Sequence, residues 1–308
     1  MSIVTTAASN RRLRTDAMPI SITDRLRNYR ELTKPRIVTM VLVTTGVGFL
    51  SGCRGSIDPA VFLATMFGTA AFAASASVLN QTIEWRRDAR MRRTADRPIP
   101  GGRTTVAESV VFGSSLLFAG SVLLLAFVPV NAFWCAIATW VLYLAAYTPL
   151  KPISSINTVV GAIPGALPPV IGWAGATGSV GREAVALFLI LFLWQFPHFL
   201  AIAWLHRRDY RRGGYRMITH RDTSGWVTSL QSLAYASVLL PASILPFRLG
   251  MAGSLYLVLA LALSLHYWVR CFEFVRHRDD RSARRMLYAS LYYLPLVYLF
   301  LILNPLPA

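Results

Sequence analysis

Nine long apolar stretches dominate the sequence, and each is close to the length that crosses a lipid bilayer. A transmembrane helix needs about 20 predominantly apolar residues. Stretches that approach this length run over 37–53, 59–80, 106–128, 130–147, 153–176, 184–205, 227–248, 250–269 and 285–304. Because little more than Pro129 separates the third stretch from the fourth, eight spans is the alternative count.

The amino-acid composition excludes an ordinary soluble domain. The chain is 55% hydrophobic and 15% charged, whereas soluble domains carry about 25% charged residues. Backbone polar groups must pair internally in lipid, so a spanning segment is either a helix or a strand of a closed barrel. The sequence has no alternating ten-residue strands of a barrel type. We therefore expect an all-α polytopic membrane protein with about nine transmembrane helices.

The 31 basic residues are unevenly distributed, and 28 of them fall in the N-terminal tail and in every second loop. Only Arg54, Arg182 and Arg248 occupy the alternate loops. Lys and Arg accumulate on the cytoplasmic side of membrane spans, so we expect a cytoplasmic N-terminus and an external C-terminus in a bacterial inner membrane. The net charge of +17 then reflects topology and attraction to anionic lipid. No basic stretch interleaved with aromatic residues predicts nucleic-acid binding.

The chain divides into a short tail and one membrane domain. Residues 1–36 are expected to form a cytoplasmic tail that contains a short amphipathic helix on the membrane surface. The apolar residues at helical spacing are Ile22, Leu26, Tyr29 and Leu32. Pro35 is expected to end this helix. No compositional break divides residues 37–308, which predicts a single transmembrane domain.

Three oxygen-bearing side chains follow one another at the end of the second apolar stretch. Residues four apart on a helix share a face and lie about 6 Å apart along the axis, so Asn80, Glu84 and Asp88 form one stripe. Mg²⁺ prefers oxygen ligands and is commonly bound by a few protein groups together with substrate phosphates. The guanidinium groups of Arg93 and Arg97 match phosphate oxygens. The pattern predicts a magnesium diphosphate site at a cavity open to the cytoplasm, and its alternative is simple neutralisation of neighbouring arginines.

Further polar groups are expected at the same membrane face. Asp209 follows the sixth stretch and would hold a metal or the diphosphate from the opposite side. Tyr147 and Lys151, in the motif YTPLK, would reach the departing phosphate oxygens. An isolated surface aspartate and a topology-setting lysine are the alternative interpretations.

His198 lies within the sixth apolar stretch, in the motif WQFPHF. Ionisable groups in a membrane are costly and tend to face the interior of the bundle. The imidazole would act as a base, a hydrogen-bond donor to a carboxylate or an axial metal ligand, or it is a structural histidine bonded to a neighbouring helix. The remaining histidines, including His266, are expected near loop ends. The run of glycine and proline over 161–178 favours close helix packing or a break beside a cavity.

Together these motifs resemble the intramembrane prenyltransferases of the UbiA superfamily, over about residues 29–220. The resemblance is carried by YRELTKPRIV at 29–38, by Asn80, Glu84, Asp88, Met91, Arg93, Thr94, Arg97 and Pro98, by YTPLK with Asn157, and by GAIPGALPPVIGWAGATG, WQFPHF and DYRRGGYRM. The combination of MxRTxxRP, TKPR and WQxPHF is similar to the branch that farnesylates haem. One departure is that Gly213 stands four residues after Asp209, where many members carry a second acid.

The resemblance implies a magnesium-dependent transfer of farnesyl from farnesyl diphosphate to a vinyl group of haem B, with addition of water, which gives haem O and diphosphate. It implies metal and diphosphate binding by Asn80, Glu84, Asp88 and Asp209. It also implies substrate contacts from Asn157 and His198. The product would pass to a haem A synthase or a haem-copper oxidase.

Two other functions fit the same motifs. The first is a prenyltransferase of the same superfamily with a quinone or chlorophyll precursor as its acceptor. The second is a transporter of an anionic amphiphile, which would also use basic loops and intramembrane polar groups.

Overall fold

In the computed structural model, which describes residues 21–53 and 55–306, the described chain is helical and contains no strand. The helices are α1 (Ile22–Leu32), α2 (Pro35–Gly52), α3 (Pro59–Asp88), α4 (Val106–Phe127), α5 (Val130–Val141), α6 (Thr148–Leu150), α7 (Asn157–Ala166), α8 (Pro168–Thr177), α9 (Arg182–Leu205), α10 (Arg207–Arg212), α11 (Trp226–Ala242), α12 (Leu245–Arg248), α13 (Ser254–His277) and α14 (Asp280–Leu303). The first 20 residues of the predicted tail lie outside the described residues.

Nine helical segments of the described chain are long and apolar enough to cross a membrane. Six of them are single helices, and the other three are the pairs α5–α6, α7–α8 and α11–α12. The predicted count and the all-α class are confirmed. Four of the predicted stretches have bounds that are wrong by about one to two turns. Helix α3 ends at Asp88 instead of 80, the fifth span begins at Asn157 instead of 153, α13 occupies Ser254–His277 instead of 250–269, and α14 begins at Asp280 instead of 285.

The predicted amphipathic segment is α1. The Ser21 side chain caps its first turn, which satisfies an otherwise unpaired N–H group. Ile22 and Leu26 are 79% and 64% exposed, whereas Leu32 is completely buried, as expected of a helix that lies between membrane and protein. Pro35 does not end this helix but begins α2, because its fixed φ and missing N–H suit a first helical turn.

Helices α2 and α8 approach until their backbones touch. A Cβ atom added at Gly48 would lie 1.9 Å from the carbonyl oxygen of Pro169, and one added at Gly172 would lie 1.9 Å from that of Thr45. Small residues allow such approach between membrane helices. The glycine and proline run thus combines close packing with the break at Leu167, which separates α7 from α8.

A second group of helices, α9, α11, α13 and α14, encloses the larger apolar core. Its largest fully buried side chains include several tyrosines. The hydroxyl of Tyr293 bonds the Ser243 hydroxyl at 2.7 Å, and that of Tyr256 donates to the Ser243 carbonyl at 3.0 Å. Each phenol therefore has a polar partner, as buried tyrosines require.

Residues 142–147 form a π-helical turn between α5 and α6. Pro149 follows immediately, and a proline ring clashes with the carbonyl four residues earlier. The wider turn relieves that clash, and the Thr148 hydroxyl donates to the carbonyl of Tyr143, five residues back, at 2.8 Å. Such turns are frequent at functional sites, and this one sets the direction of Tyr147 and Lys151.

The contact between α2 and α8 provides a stability prediction. We expect Gly48→Ala to lower the free energy of unfolding by about 3 kcal/mol or more, because the new methyl meets a backbone oxygen that cannot rotate away. Gly46→Ala on the same helix is the matched control, since its Cβ would lie 3.7 Å from the Met66 side chain. Thermal unfolding of the detergent-purified proteins measures both. Equal melting temperatures for the two variants would contradict the close contact.

Candidate active site

The polar stripe on α3 is buried at one end of the bundle. Because α3 continues as one helix to Asp88, the residues Asn80, Glu84 and Asp88 share a face as predicted, and they are 1%, 4% and 1% exposed. Arg86 and Arg87 in the last turn favour this extension, since cations stabilise a helix C-terminus. We call these three residues the α3 stripe.

Three cations from three different segments meet the α3 stripe. Lys151 Nζ lies 2.9 Å and 3.0 Å from the two carboxylate oxygens of Glu84. Arg97 Nη1 lies 2.7 Å from Asp88 Oδ2. Buried carboxylates require such partners, because an unpaired charge in a medium of low polarity is strongly unfavourable.

Lys34 supplies the third cation, and its Nζ donates to Asn80 Oδ1 at 3.3 Å. Burial lowers the pKa of Lys34 to about 7, and repulsion from Arg97 and Lys151 adds to this effect. The pKa of Lys151 moves in the opposite direction: burial alone would lower it, but the Glu84 carboxylate outweighs burial and raises it. The two lysines are therefore held differently, one by a carboxylate and the other by an amide.

The backbone of Lys34 is strained. Its φ of 51° and ψ of 65° place it in the left-handed region, which costs a residue with a Cβ roughly 1–2 kcal/mol. This conformation joins α1 to α2 and turns the ammonium toward Asn80. The sequence motif TKPR includes Lys34, but no role was predicted for it. The sequence feature that could have indicated a role for Lys34 is that Lys34 and Lys151 are the only lysines in the chain.

The segment around the π-helical turn completes one wall of the site. Asn80 Nδ2 donates to the Thr148 hydroxyl at 3.0 Å, and Lys151 Nζ lies 4.5 Å from the centre of the Tyr147 ring. The Tyr147 ring in turn fills the space over Gly161, where a Cβ would come within 2.6 Å of it. The placement of Tyr147 and Lys151 beside the stripe agrees with the sequence prediction.

The chain that follows α10 lies over these groups. Tyr215 is 5% exposed, and its ring centre lies 5.9 Å from Lys151 Nζ. The backbone N–H of Arg216 donates to the Lys151 carbonyl at 2.8 Å, and Asn157 Nδ2 donates to the Arg216 carbonyl at 3.2 Å. Asn157 thus bridges two segments through backbone groups, which is a positioning contact that sequence reasoning could not foresee.

Three other predicted site residues are not joined to the α3 stripe by a hydrogen bond or ion pair in the described part of the chain. Asp209 has Arg212 as its ionic partner at 3.9 Å. Arg93 is exposed beyond the end of α3. His198 Nδ1 bonds the Ser290 hydroxyl of α14 at 2.7 Å, which is the neighbouring-helix contact considered from the sequence. Their predicted functional roles stay predictions.

The donor set of the α3 stripe fits a hard divalent cation. It offers one amide oxygen and two carboxylates, which are the ligand types of Mg²⁺. The described residues contain no cluster of three His, Cys, Asp or Glu side chains around one point. Mg²⁺ needs no such cluster, because it commonly binds through one or two carboxylates and completes its shell with phosphates and water.

The described residues thus combine nine candidate membrane spans with a buried acidic stripe that is paired with cations. Residues 41–300 match the UbiA prenyltransferase family. The chain belongs to this family and is an integral membrane protein.

Relatives named protoheme IX farnesyltransferase occur in bacteria and plants. The chain is 42% identical to the protoheme IX farnesyltransferase of Solibacter usitatus, over 91% of this chain and 99% of the relative. It is 37% identical to the mitochondrial protoheme IX farnesyltransferase of Arabidopsis thaliana, over 90% of this chain and 65% of the relative.

Solved structures agree with the fold. A structure from work on digeranylgeranylglyceryl phosphate synthase superposes with a TM-score of 0.78 at 19% identity, over 91% of this chain and 98% of the other. A UbiA homologue from Archaeoglobus fulgidus, solved with DMAPP and Mg²⁺, gives a TM-score of 0.64 at 14% identity, over 89% and 99% of the two chains.

The ion pair between Glu84 and Lys151 provides a second prediction. We expect Lys151→Met to destabilise the protein by about 3–5 kcal/mol, because it leaves the buried Glu84 carboxylate unpaired. Adding Glu84→Gln should recover much of the loss. The exposed pair of Glu31 and Arg103 is the control, and Glu31→Gln should change stability by no more than about 1 kcal/mol. Thermal unfolding of these three variants and the natural chain tests this. If Lys151→Met alone were as stable as the double variant, a buried charge pair would be excluded.

Proposed function

We propose that this chain transfers the farnesyl group of farnesyl diphosphate to a vinyl group of haem B, giving haem O and diphosphate. The name shared by relatives at 35–42% identity over at least 90% of this chain supports this acceptor. The single structural observation that carries the transfer chemistry is the α3 stripe with its three cations, since cleavage of an allylic diphosphate needs charge stabilisation where the leaving group departs.

The reaction makes two demands on the site. The bond between the allylic carbon and the diphosphate oxygen breaks, and its electron pair leaves with diphosphate. The vinyl π electrons then form the new carbon–carbon bond, and the resulting porphyrin side-chain cation takes up water and releases a proton. The protein must therefore stabilise the leaving group and keep other water away from the farnesyl cation.

The paired state of the α3 stripe suggests how substrate would be received. Asn80, Glu84 and Asp88, with Asp209 from the opposite side, would hold Mg²⁺. When bound, Mg²⁺ would neutralise negative charge that develops on the diphosphate. Lys151 and Arg97, released from the two carboxylates, would then donate to phosphate oxygens, and the half-buried Lys34 is placed to do the same.

Three other residues have proposed roles in substrate binding or proton transfer. Tyr147 would donate to the diphosphate, Arg93 would attract it from the surface, and His198 would contact the haem or handle the released proton. The distribution of basic residues supports a bacterial inner-membrane location with the N-terminus inside and the C-terminus outside. The product would pass to a haem A synthase or directly to a haem-copper oxidase.

The proposed activity has a direct test. Membranes that contain the chain, incubated with haem B, farnesyl diphosphate and Mg²⁺, should form haem O, which chromatography resolves from haem B. Chelation by EDTA should abolish the product, and added Mg²⁺ should restore it. Absence of haem O, together with farnesylation of a quinone precursor, would overturn the haem assignment.

A matched pair of acid variants tests the α3 stripe. We expect Asp88→Asn to lower the turnover number at least ~100-fold, because electrostatic stabilisation of the leaving group is lost. Asp96→Asn, an exposed acid in the segment that follows α3, should retain near-normal turnover. Single-turnover assays measure both. A transporter would retain function in Asp88→Asn, so an unimpaired variant would contradict the proposal.

A further inference from the structure

The α13–α14 surface, formed by His266 and Arg270 of α13 with Arg285 and Tyr292 of α14, carries ionisable side chains that the proposed chemistry does not use. His266 of α13 and Tyr292 of α14 form its deepest contact, between the imidazole Nε2 and the phenol oxygen. Each residue lies twelve positions from the start of its helix, about 18 Å along the axis. The pair therefore lies at the middle of two helices that are long and apolar enough to cross a membrane. The prediction that His266 lies near a loop end is wrong, because α13 continues to His277.

This pair lies on the outer surface of the bundle. Tyr292 is 40% exposed and His266 is partly exposed, while the opposite face of α13, which includes Tyr267 and Cys271, is buried. Ionisable groups at this depth usually face the bundle interior and mark substrate or ion pathways. Here the imidazole and the phenol bond each other on the outer surface, which a molecule dissolved in the bilayer reaches directly.

The hydrogen bonds of His266 fix its ring in the state that binds metals. Arg270 Nε donates to His266 Nε2 at 3.4 Å. A guanidinium has no acceptor atom, so Nε2 must be the acceptor and carry a lone pair. The imidazole is then neutral with its proton on Nδ1, which is the form in which histidine ligates a metal ion.

Arginines extend from this pair toward the arginine-rich ends of the two helices. Arg270 pairs with one oxygen of Glu273 at 2.7 Å, and Arg285 lies 3.8 Å from the other. Beyond them lies a shallow cavity of about 490 Å³, lined by Asp280, Arg281, Arg284, Arg285 and Tyr288. A fifth arginine, Arg207, lies 2.9 Å from Asp280. Five arginines thus accompany two acids on this surface, which keeps an excess of three positive charges.

We propose that the α13–α14 surface is a docking site for haem B, a flat apolar molecule with a central metal and two carboxylates along one edge. His266 Nε2 would exchange its contacts with Tyr292 and Arg270 for the iron, and Arg270 and Arg285 would pair with the carboxylates. An anionic phospholipid would also pair with the arginines, but it offers no metal to the imidazole. This inference rests on the proposed function, since that function supplies haem as the acceptor.

Helix α14 separates this surface from the rest of the bundle. It contacts α13 on one side and both α2 and α9 elsewhere. The proposed site is therefore distinct from the α3 stripe. Trp194 and His198 of α9 contact Ser290 on α14, so the two histidines lie on different sides of the same helix.

Ferric haem B titrated into the detergent-purified full-length chain tests the site by absorbance spectroscopy. We expect saturable binding with the spectrum of histidine-ligated haem. His266→Ala should weaken binding at least ~10-fold and lose that spectrum, and added imidazole should restore it. His266→Cys should instead give the spectrum of a thiolate ligand. His277→Ala, at the end of the same helix, is the matched control and should bind as the natural chain does.

The carboxylate contacts are tested with a second ligand. Arg285→Gln should weaken binding of haem B several-fold but leave binding of its dimethyl ester unchanged, because the ester lacks the two charges. If Arg285→Gln weakens binding of both ligands equally, and binding depends on added anionic phospholipid, the arginines bind lipid and the proposal is overturned. A haem spectrum that changes in His198→Ala and not in the His266 variants would also overturn it.

Assays of haem O formation on the same preparations separate the two proposals. If haem O forms but the haem spectrum is unchanged in the His266 variants, the docking site is excluded and the proposed function stands. Binding that depends on His266, without any haem O formation, would remove the proposed function and leave the docking site.

Discussion

The buried carboxylates of α3 are the constraint on which the rest of the site depends. Glu84 and Asp88 are almost completely enclosed, and a lone charge in such surroundings would be neutralised or would unfold its environment. Each is stable because a cation lies within 3 Å: Arg97, nine residues after Asp88, and Lys151, 67 residues after Glu84. The bundle must therefore bring the α1–α2 junction, the segment after α3 and the end of α6 to one place. In this way an electrostatic requirement fixes tertiary structure.

Backbone features place those cations. The left-handed Lys34 turns the chain between a surface helix and the first membrane span, and the π-helical turn before Pro149 rotates Lys151 toward Glu84. Strain or irregular hydrogen bonding at such positions persists only where the surrounding structure holds it. Here the surrounding structure includes the glycine contact between α2 and α8, which anchors the helix that Lys34 precedes.

Helix α14 connects two polar regions with different environments. On one face Ser290 satisfies the imidazole of His198 within the bundle. On another, Tyr292 meets His266 at the surface that faces lipid. The first imidazole is enclosed by neighbouring helices, whereas the second is partly exposed on the outer surface. Residue type does not reveal this difference in surroundings.

The sequence alone determined the helical class, the nine spans and the α3 stripe, because apolar length and four-residue spacing are local properties of one helix. It also placed Tyr147 and Lys151 at the same end of the bundle as the α3 stripe. Only the tertiary structure decided which cation meets which acid, since those partners are up to 67 residues apart. It likewise revealed Lys34 as a member of the site and placed His266 in the middle of α13 instead of near a loop end. These features arise from backbone conformation and from contacts between helices, and periodicity along the chain carries no information about either.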